Sequence, residues 1–228
     1  SVCFPINLSC AISSYEDFAV VVAFCREHDL YLFSDVVYRL LELDAAKRID
    51  QAADAYEKGL SLNVMSKAYG LPGLRIGWIA CRDRSALQRL ERYKHYLSIC
   101  NSAPSERLAT MALGIRETLL QRVRTLMRSN LAELEAFFAR HTTLFDWRRP
   151  DGGCIAFPRF RCRGGVEAFC TSLAEDAGVL LLPASIYRSE LQATPTDRFR
   201  IGFGRANMST GLAAFDAFVE MKGAELSP

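Results

Sequence analysis

The segment SKAYGLPGLRIGW, residues 66–78, holds the most informative chemistry of the chain. Lys67 stands in a run that is otherwise small, apolar and rich in Gly and Pro, and one arginine, Arg75, follows eight residues on. An arbitrary lysine is a solvated surface residue. Among apolar neighbours the neutral amine is favoured, and that is the form that attacks a carbonyl carbon. Gly70, Gly73 and Gly77 let backbone approach a ligand closely. Arg75 carries a planar fork of donors that can bind a phosphate through two parallel hydrogen bonds. Asp35 falls at the carboxyl end of the apolar run in LYLFSDVVY, where open α/β sheets place ligand contacts. Taken singly, Asp35 reads first as a turn or cap acid, and Lys67 and Arg75 as surface charges on a loop.

The elements that must position these groups follow from hydrophobic periodicity. Ser13 and Glu16 have capping-box spacing, and Phe18, Val21, Val22 and Cys25 then mark an amphipathic helix. LYLFSDVVY, SLNVMSKAYG and RIGWIAC read as strands. Their near-continuous apolar runs predict a sheet covered on both faces. Helical patterns follow from Asp83 to about Ser98 and from Ser105 to Arg116. The longest periodic stripe runs from Leu119 through Leu120, Val123, Leu126, Met127, Leu131, Leu134 and Phe137 to Phe138. Beyond it, short strand-like pieces (TLFDW, GCIAFPRF, GVLLLP, FRIGFG) alternate with helices near Val166–Asp176 and Met208–Lys222. The expected fold is α/β. Residues 1–120 form a partial large domain with a mainly parallel sheet and flanking helices, and residues 121–228 a small α+β carboxy-terminal domain.

Composition excludes several classes. In 228 residues, half are apolar and 24% charged, as in an ordinary soluble globular protein, and a net charge of +2 points to neither nucleic acid nor an anionic membrane. The basic residues between Arg82 and Arg92 read as the solvated face of a helix. Eight cysteines are scattered without CxxC pairs or metal-ligand spacing to His. Reduced thiols in a cytoplasmic protein, with no bound metal, are the expectation. His28, His95 and His141 read as surface residues. No apolar run reaches the ~20 residues of a membrane span. The first residues, SVCFPINLS, lack a Met and read like the middle of a protein.

SKAYGLPGLRIGW strongly resembles the cofactor-lysine segment of the class I/II pyridoxal-phosphate-dependent aminotransferases, which share the aspartate aminotransferase-like fold. The resemblance implies that Lys67 holds pyridoxal 5'-phosphate as a Schiff base and that Arg75 contacts its phosphate. It extends along the chain in the family's order. Asp35 and Tyr38, in SDVVYRLLE, match the Asp that pairs with the pyridinium nitrogen and the Tyr that donates to the ring phenolate. Asn7, in CFPINLSC, matches a second phenolate partner. Arg200, in FRIGFGR, matches the arginine that clamps the substrate carboxylate. Alone it could be half of a surface ion pair, and its neighbour Arg205 is taken as structural. The implied reaction moves an amino group between an α-amino acid and a 2-keto acid, in a homodimer without nucleic-acid or membrane partners. Alternatives are another pyridoxal-phosphate lyase, cyclase or oxidase of the same fold, the aminotransferase-like body of a transcription regulator, or a degenerate relative serving as an interaction module.

Several positions depart from the family pattern. Leu8 and Cys10 stand where Pro and Gly are usual, and cysteine takes a positive φ less cheaply than glycine. Val36 and Leu40 replace a common Glu and Gly, and Ala184 a frequent Gly. Val64 occupies a frequent phosphate-binding Ser or Thr position, with Ser66 as a partial substitute. The resemblance also implies a further amino-terminal segment. Without it, the strands around Leu32 and Ile79 are expected to expose apolar surface.

Overall fold

The computed structural model describes residues 1–6, 9–161, 163–191 and 193–222. The chain divides into two compact units, Ser1–Arg124 with Asp151–Gly153, and Thr125–Pro150 with Cys154–Pro228.

The first unit is a four-stranded sheet with helices. Its order is β1 (Val2–Cys3), β2 (Leu32–Asp35), β3 (Gly59–Val64), β4 (Gly77–Cys81). The β1–β2 and β2–β3 pairs are parallel, with Cys3 and Leu62 both opposite Asp35. β4 is antiparallel to β3, Val64 facing Gly77. Between β1 and β2 runs α1 (Tyr15–Glu27). Its N-cap is Ser14, whose Oγ accepts from the Asp17 N–H at 2.9 Å. Ser13 was the expected cap; a capping serine one position later satisfies the same orphan donors. Phe18, Val22 and Cys25 of α1 pack with Leu32, Ile49, Ala52 and Tyr56 into one buried cluster. Tyr56 follows α2 (Ala52–Ala55), and its hydroxyl donates to the carbonyls of Cys25 and Leu30, tying off the end of α1.

α3 (Arg84–Ser98), capped by Asp83, and α4 (Ala103–Gly114) follow. The expected apolar exposure falls mainly on these helices. Tyr93, Tyr96, Leu97, Ile99, Leu108, Met111 and Ile115 are exposed, whereas Leu32 is buried under α1. The strand near Ile79 is only partly covered. In β4, Gly77 and Trp78 are exposed and the rest half-buried, because β4 is an edge strand with one neighbour in the sheet. Coverage of that strand on both faces, expected from its apolar run, is not found.

A three-residue strap, Asp151–Gly153, belongs to this unit although it is remote in sequence. The Asp151 N–H donates to the Cys10 carbonyl, the Leu43 N–H to Asp151 and the Gly153 N–H to Leu41. The Asp151 carboxylate accepts from the Ile12 N–H and from Lys47. The strap therefore joins the Cys10–Ile12 loop to the turn after Tyr38. It can do so only because two glycines approach closely. A Cβ on Gly152 would lie 2.9 Å from the Leu41 carbonyl oxygen, and one on Gly153 2.3 Å from the Cys10 sulfur.

α5 (Arg116–Arg140) contains the division between the units, which falls after Arg124. In the second unit its buried residues Met127, Leu131, Leu134, Phe137 and Phe138 follow the expected stripe. A two-stranded sheet pairs β5 (Phe145–Asp146) with β7 (Arg159–Phe160). A three-stranded antiparallel sheet has the order β6 (Ile155–Ala156), β9 (Phe199–Gly202), β8 (Leu182–Pro183). α6 (Gly165–Ala177) and α7 (Met208–Lys222) pack together. The core is a continuous network of rings. Phe145 alone meets Phe137, Phe138, Phe160, Phe169, Phe199 and Phe215 at centroid distances of 5.5–6.0 Å. His141 is not a free surface residue: its Nε2 lies 2.6 Å from Asp216 Oδ1, and its ring packs on Phe137. The last turn of α5 turns it onto α7, a tertiary contact invisible in local charge pattern.

Among the described residues no helix is long and apolar enough to cross a membrane. Gly153→Ala is expected to destabilise the protein by about 2 kcal/mol or more, from the clash with Cys10 and from a φ of +68°. Chemical denaturation of the single variants and of Cys10→Gly/Gly153→Ala checks the cause. The double variant should be more stable than the sum of the single penalties, whereas simple additivity would contradict the proposed clash.

Candidate active site

The candidate groups of the first unit are assembled by one feature of the sheet. β2 and β3 are parallel, so their carboxyl ends lie at the same edge. Asp35 closes β2 and is paired with Leu62, two residues before β3 ends at Val64. The chain leaves β3 into a loop that carries Ser66, Lys67 and Arg75 and returns as β4. The loop is closed at its base, where the Met65 N–H donates to the Ile76 carbonyl and the Leu71 N–H to that of Met65, both at 3.0 Å. Inside it the Gly70 N–H donates to the Lys67 carbonyl, so Lys67 opens a tight turn.

Tyr38 reaches the same place from β2. A turn follows Asp35, with the Val37 N–H donating to the Asp35 carboxylate at 3.1 Å and the Leu41 N–H to the Tyr38 carbonyl at 3.1 Å. The Tyr38 ring is buried, at 2% exposure, and the Lys67 Nζ stands 5.7 Å from its centroid. Of the expected residues, then, Lys67 and Tyr38 are in contact range. Asp35 lies at the same strand edge, and Ser66 is the half-buried neighbour of Lys67. Arg75 ends the loop at φ +54°, exposed, with one guanidinium nitrogen donating to the Pro72 carbonyl. Asn7 and Leu8 lie outside the described residues.

Two departures from the family pattern prove to be conformational. Cys10 holds φ +51° and Leu40 φ +75°, left-handed values that glycine adopts without strain. The backbone keeps the left-handed turns although the glycines are gone. Val64 ends β3 opposite Gly77, and Ala184 is fully buried, its N–H donating to the Arg198 carbonyl. Around the loop, burial pushes the Tyr69 phenol up, and its ring leans on Trp78. Burial likewise lowers Arg39, whose guanidinium donates to the Ile49 carbonyl.

The second unit carries Arg200 on β9, the central strand of its sheet. Phe199, Ile201 and Phe203 are buried while Arg200 is half-buried, the alternation that a strand imposes. Arg200 Nε is buried and has no hydrogen-bond partner among the described residues, an open donor on a group that binds carboxylates. The Arg205 side chain is exposed, and its carbonyl, with that of Phe203, accepts from Asn130 Nδ2.

These groups suit pyridoxal phosphate in their chemistry. The half-buried Lys67 amine and Asp35 carboxylate, with the Arg75 guanidinium, have no ion-pair partner among the described residues. An aldehyde, a pyridinium and a phosphate would complement an amine, a carboxylate and a guanidinium respectively. The reading of single motifs missed what surrounds them: Glu42, Arg48, Arg124 and the Asp151–Gly153 strap. Only the paired glycines of the strap, in PDGG, gave a local signal.

Comparison with known proteins gives the family of the chain. The family model for aminotransferase class I and II matches residues 2–214. Capreomycidine synthase of Streptomyces vinaceus is 34% identical over 160 residues, 69% of this chain and 39% of that protein. Aromatic-amino-acid aminotransferase 2 of Thermococcus litoralis is 25% identical over 187 residues, 80% of this chain and 48% of that protein. Among solved structures, a PLP-dependent aminotransferase from Streptococcus suis superposes with a TM-score of 0.85 at 27% identity, over 96% of this chain and 56% of that one. The PLP-dependent cyclase OrfR gives 0.83 at 26% identity, over 96% and 58%. The chain thus spans 39% to 58% of the length of these relatives. It belongs to the class I and II aminotransferase family, whose fold it has and whose cofactor is pyridoxal phosphate.

Proposed function

We propose that the protein of which this chain forms part is a pyridoxal-phosphate-dependent aminotransferase acting on an α-amino acid and a 2-keto acid. The observation that carries this reading is the Lys67 amine over Tyr38 at the edge closed by Asp35, within a family match over most of the chain. Residues 1–120, joined by residues 121–124 and the Asp151–Gly153 strap, serve as the cofactor-binding part and the rest of residues 121–228 as the small domain, in a cytoplasmic homodimer.

The roles follow from the chemistry of each side chain. Lys67 would hold the cofactor through its amine, and the free amine would take the proton from the substrate Cα. Asp35 would hold a proton at the pyridine nitrogen. Tyr38, with Asn7, would donate to the ring oxygen, and Arg75, helped by Ser66, would hold the phosphate. Arg200 orients the substrate through its carboxylate. When bound, the cofactor supplies the electron sink for charge developed at Cα.

A second reading has a specific basis. Capreomycidine synthase and a PLP-dependent cyclase stand among the relatives. The same lysine, aspartate and arginines would serve a cyclisation that also begins by removing the Cα proton. The two are separated by incubating the full-length protein and cofactor with amino acids and a 2-keto acid acceptor. Amino-group transfer yields a new keto acid and an aminated acceptor in equal amounts. A product formed without consumption of the acceptor supports the cyclase, and no conversion of any α-amino acid contradicts both.

Arg200→Lys should keep cofactor attachment but lower kcat/KM on α-amino acids about a hundredfold, roughly 3 kcal/mol, because lysine cannot form the paired bond to a carboxylate. The check is a comparison with an amine lacking the carboxylate. Equal losses on both substrates would make Arg200 structural.

A further inference from the structure

Glu42 has a side chain only 3% exposed, although nothing in the proposed chemistry uses it. A carboxylate withdrawn this far from water is tolerated only when both oxygens are engaged. Both are. Oε1 accepts from the Leu40 N–H at 3.1 Å, and Oε2 from Arg48 Nε at 2.9 Å. Leu40 is the residue held at φ +75°, two positions after Tyr38. Its carbonyl accepts from Arg124 Nε at 2.8 Å, so both backbone polar groups of that strained residue are gripped by side chains. The Glu42 backbone is itself braced by a bridge to Gly152 in the strap.

We infer that Glu42, anchored by Arg48, is a positioning residue for Tyr38. It holds the left-handed turn at Leu40 and thereby fixes the phenol relative to Lys67. A leucine at positive φ costs free energy and would relax into the right-handed or extended region if released. Relaxation at Leu40 would move the Leu41 N–H that donates to the Tyr38 carbonyl, and the ring would turn with its backbone. Glycine would hold the same turn without help. The buried Glu42–Arg48 pair is what this chain has in its place. The inference rests on the proposed role of Tyr38 as donor to the cofactor ring oxygen.

The test is a double-mutant cycle on the full-length, cofactor-loaded protein, read by the pH midpoint of the bound cofactor's visible absorbance. Losing a donor to the ring oxygen raises that midpoint. Tyr38→Phe is therefore expected to raise it, and Glu42→Ala to raise it in the same direction by about half a pH unit or more. Glu42→Gln, which keeps an acceptor for the Leu40 N–H but loses the charge facing Arg48, should shift it less. In the Tyr38→Phe background, Glu42→Ala should add nothing. An unmoved midpoint in Glu42→Ala overturns the inference, and so does a full additional shift in the Tyr38→Phe background. If Glu42→Ala does not fold, Arg48→Met takes its place in the cycle under the same criteria. A wild-type protein with no cofactor band, or a Tyr38→Phe variant with an unchanged midpoint, overturns the underlying role of Tyr38 and this inference with it.

Discussion

The parallel ladder between β2 and β3 is the constraint on which the first unit's chemistry depends. It places Asp35 opposite Leu62, so two segments nearly thirty residues apart end at one edge. A parallel pair has no hairpin to set its register; a connection of many residues must do so. Here that connection contains the Tyr38 turn and α2, and the buried cluster of α1, Leu32, Ile49 and Tyr56 locks it in place. A one-residue slip would turn every side chain of β2 to the other face, removing Leu32 from the core and Asp35 from the edge together. Folding and site assembly are therefore the same event at this ladder.

Strain is the second theme. Cys10 and Leu40 hold left-handed conformations that β-carbons resist, and each is restrained by contacts from elsewhere in the unit. The Cys10 carbonyl is tied to the strap, and Leu40 to Glu42 and Arg124. Residues in sparsely populated backbone regions persist only where the surroundings over-determine them, and such places cluster at functional sites. The Gly153 position shows how tightly this is balanced. The sulfur of Cys10 occupies the volume a side chain there would need.

Much of this was legible in the sequence, for physical reasons that differ between elements. Lys67 and Arg75 stood out because two charges interrupt a Gly- and Pro-rich apolar run, and the loop's closure at Met65 and Ile76 puts both near its base. α5 and α7 were legible because a long stripe of period 3.6 has no other reading. Glu42 was not, since an acid in LLELD looks like any solvated residue until tertiary contacts bury it against Arg48. His141 failed for the same reason, its partner Asp216 lying far along the chain. The cap of α1 moved by one residue because Ser13 and Ser14 are locally equivalent, and only packing chooses between them. The exposed apolar faces of α3 and α4 were anticipated in kind but assigned to the strands, because amphipathicity says that a face seeks cover without saying what covers it.

The carboxyl edge of β2 and β3 is proposed as the place where the cofactor is covalently held, and by one particular amine. Borohydride reduction of the full-length protein loaded with pyridoxal phosphate, followed by peptide mapping, addresses it directly. A single reduced adduct is expected, on the peptide that contains Lys67 in SKAYGLPGLR. An adduct on any other lysine, with Lys67 unmodified, would contradict it.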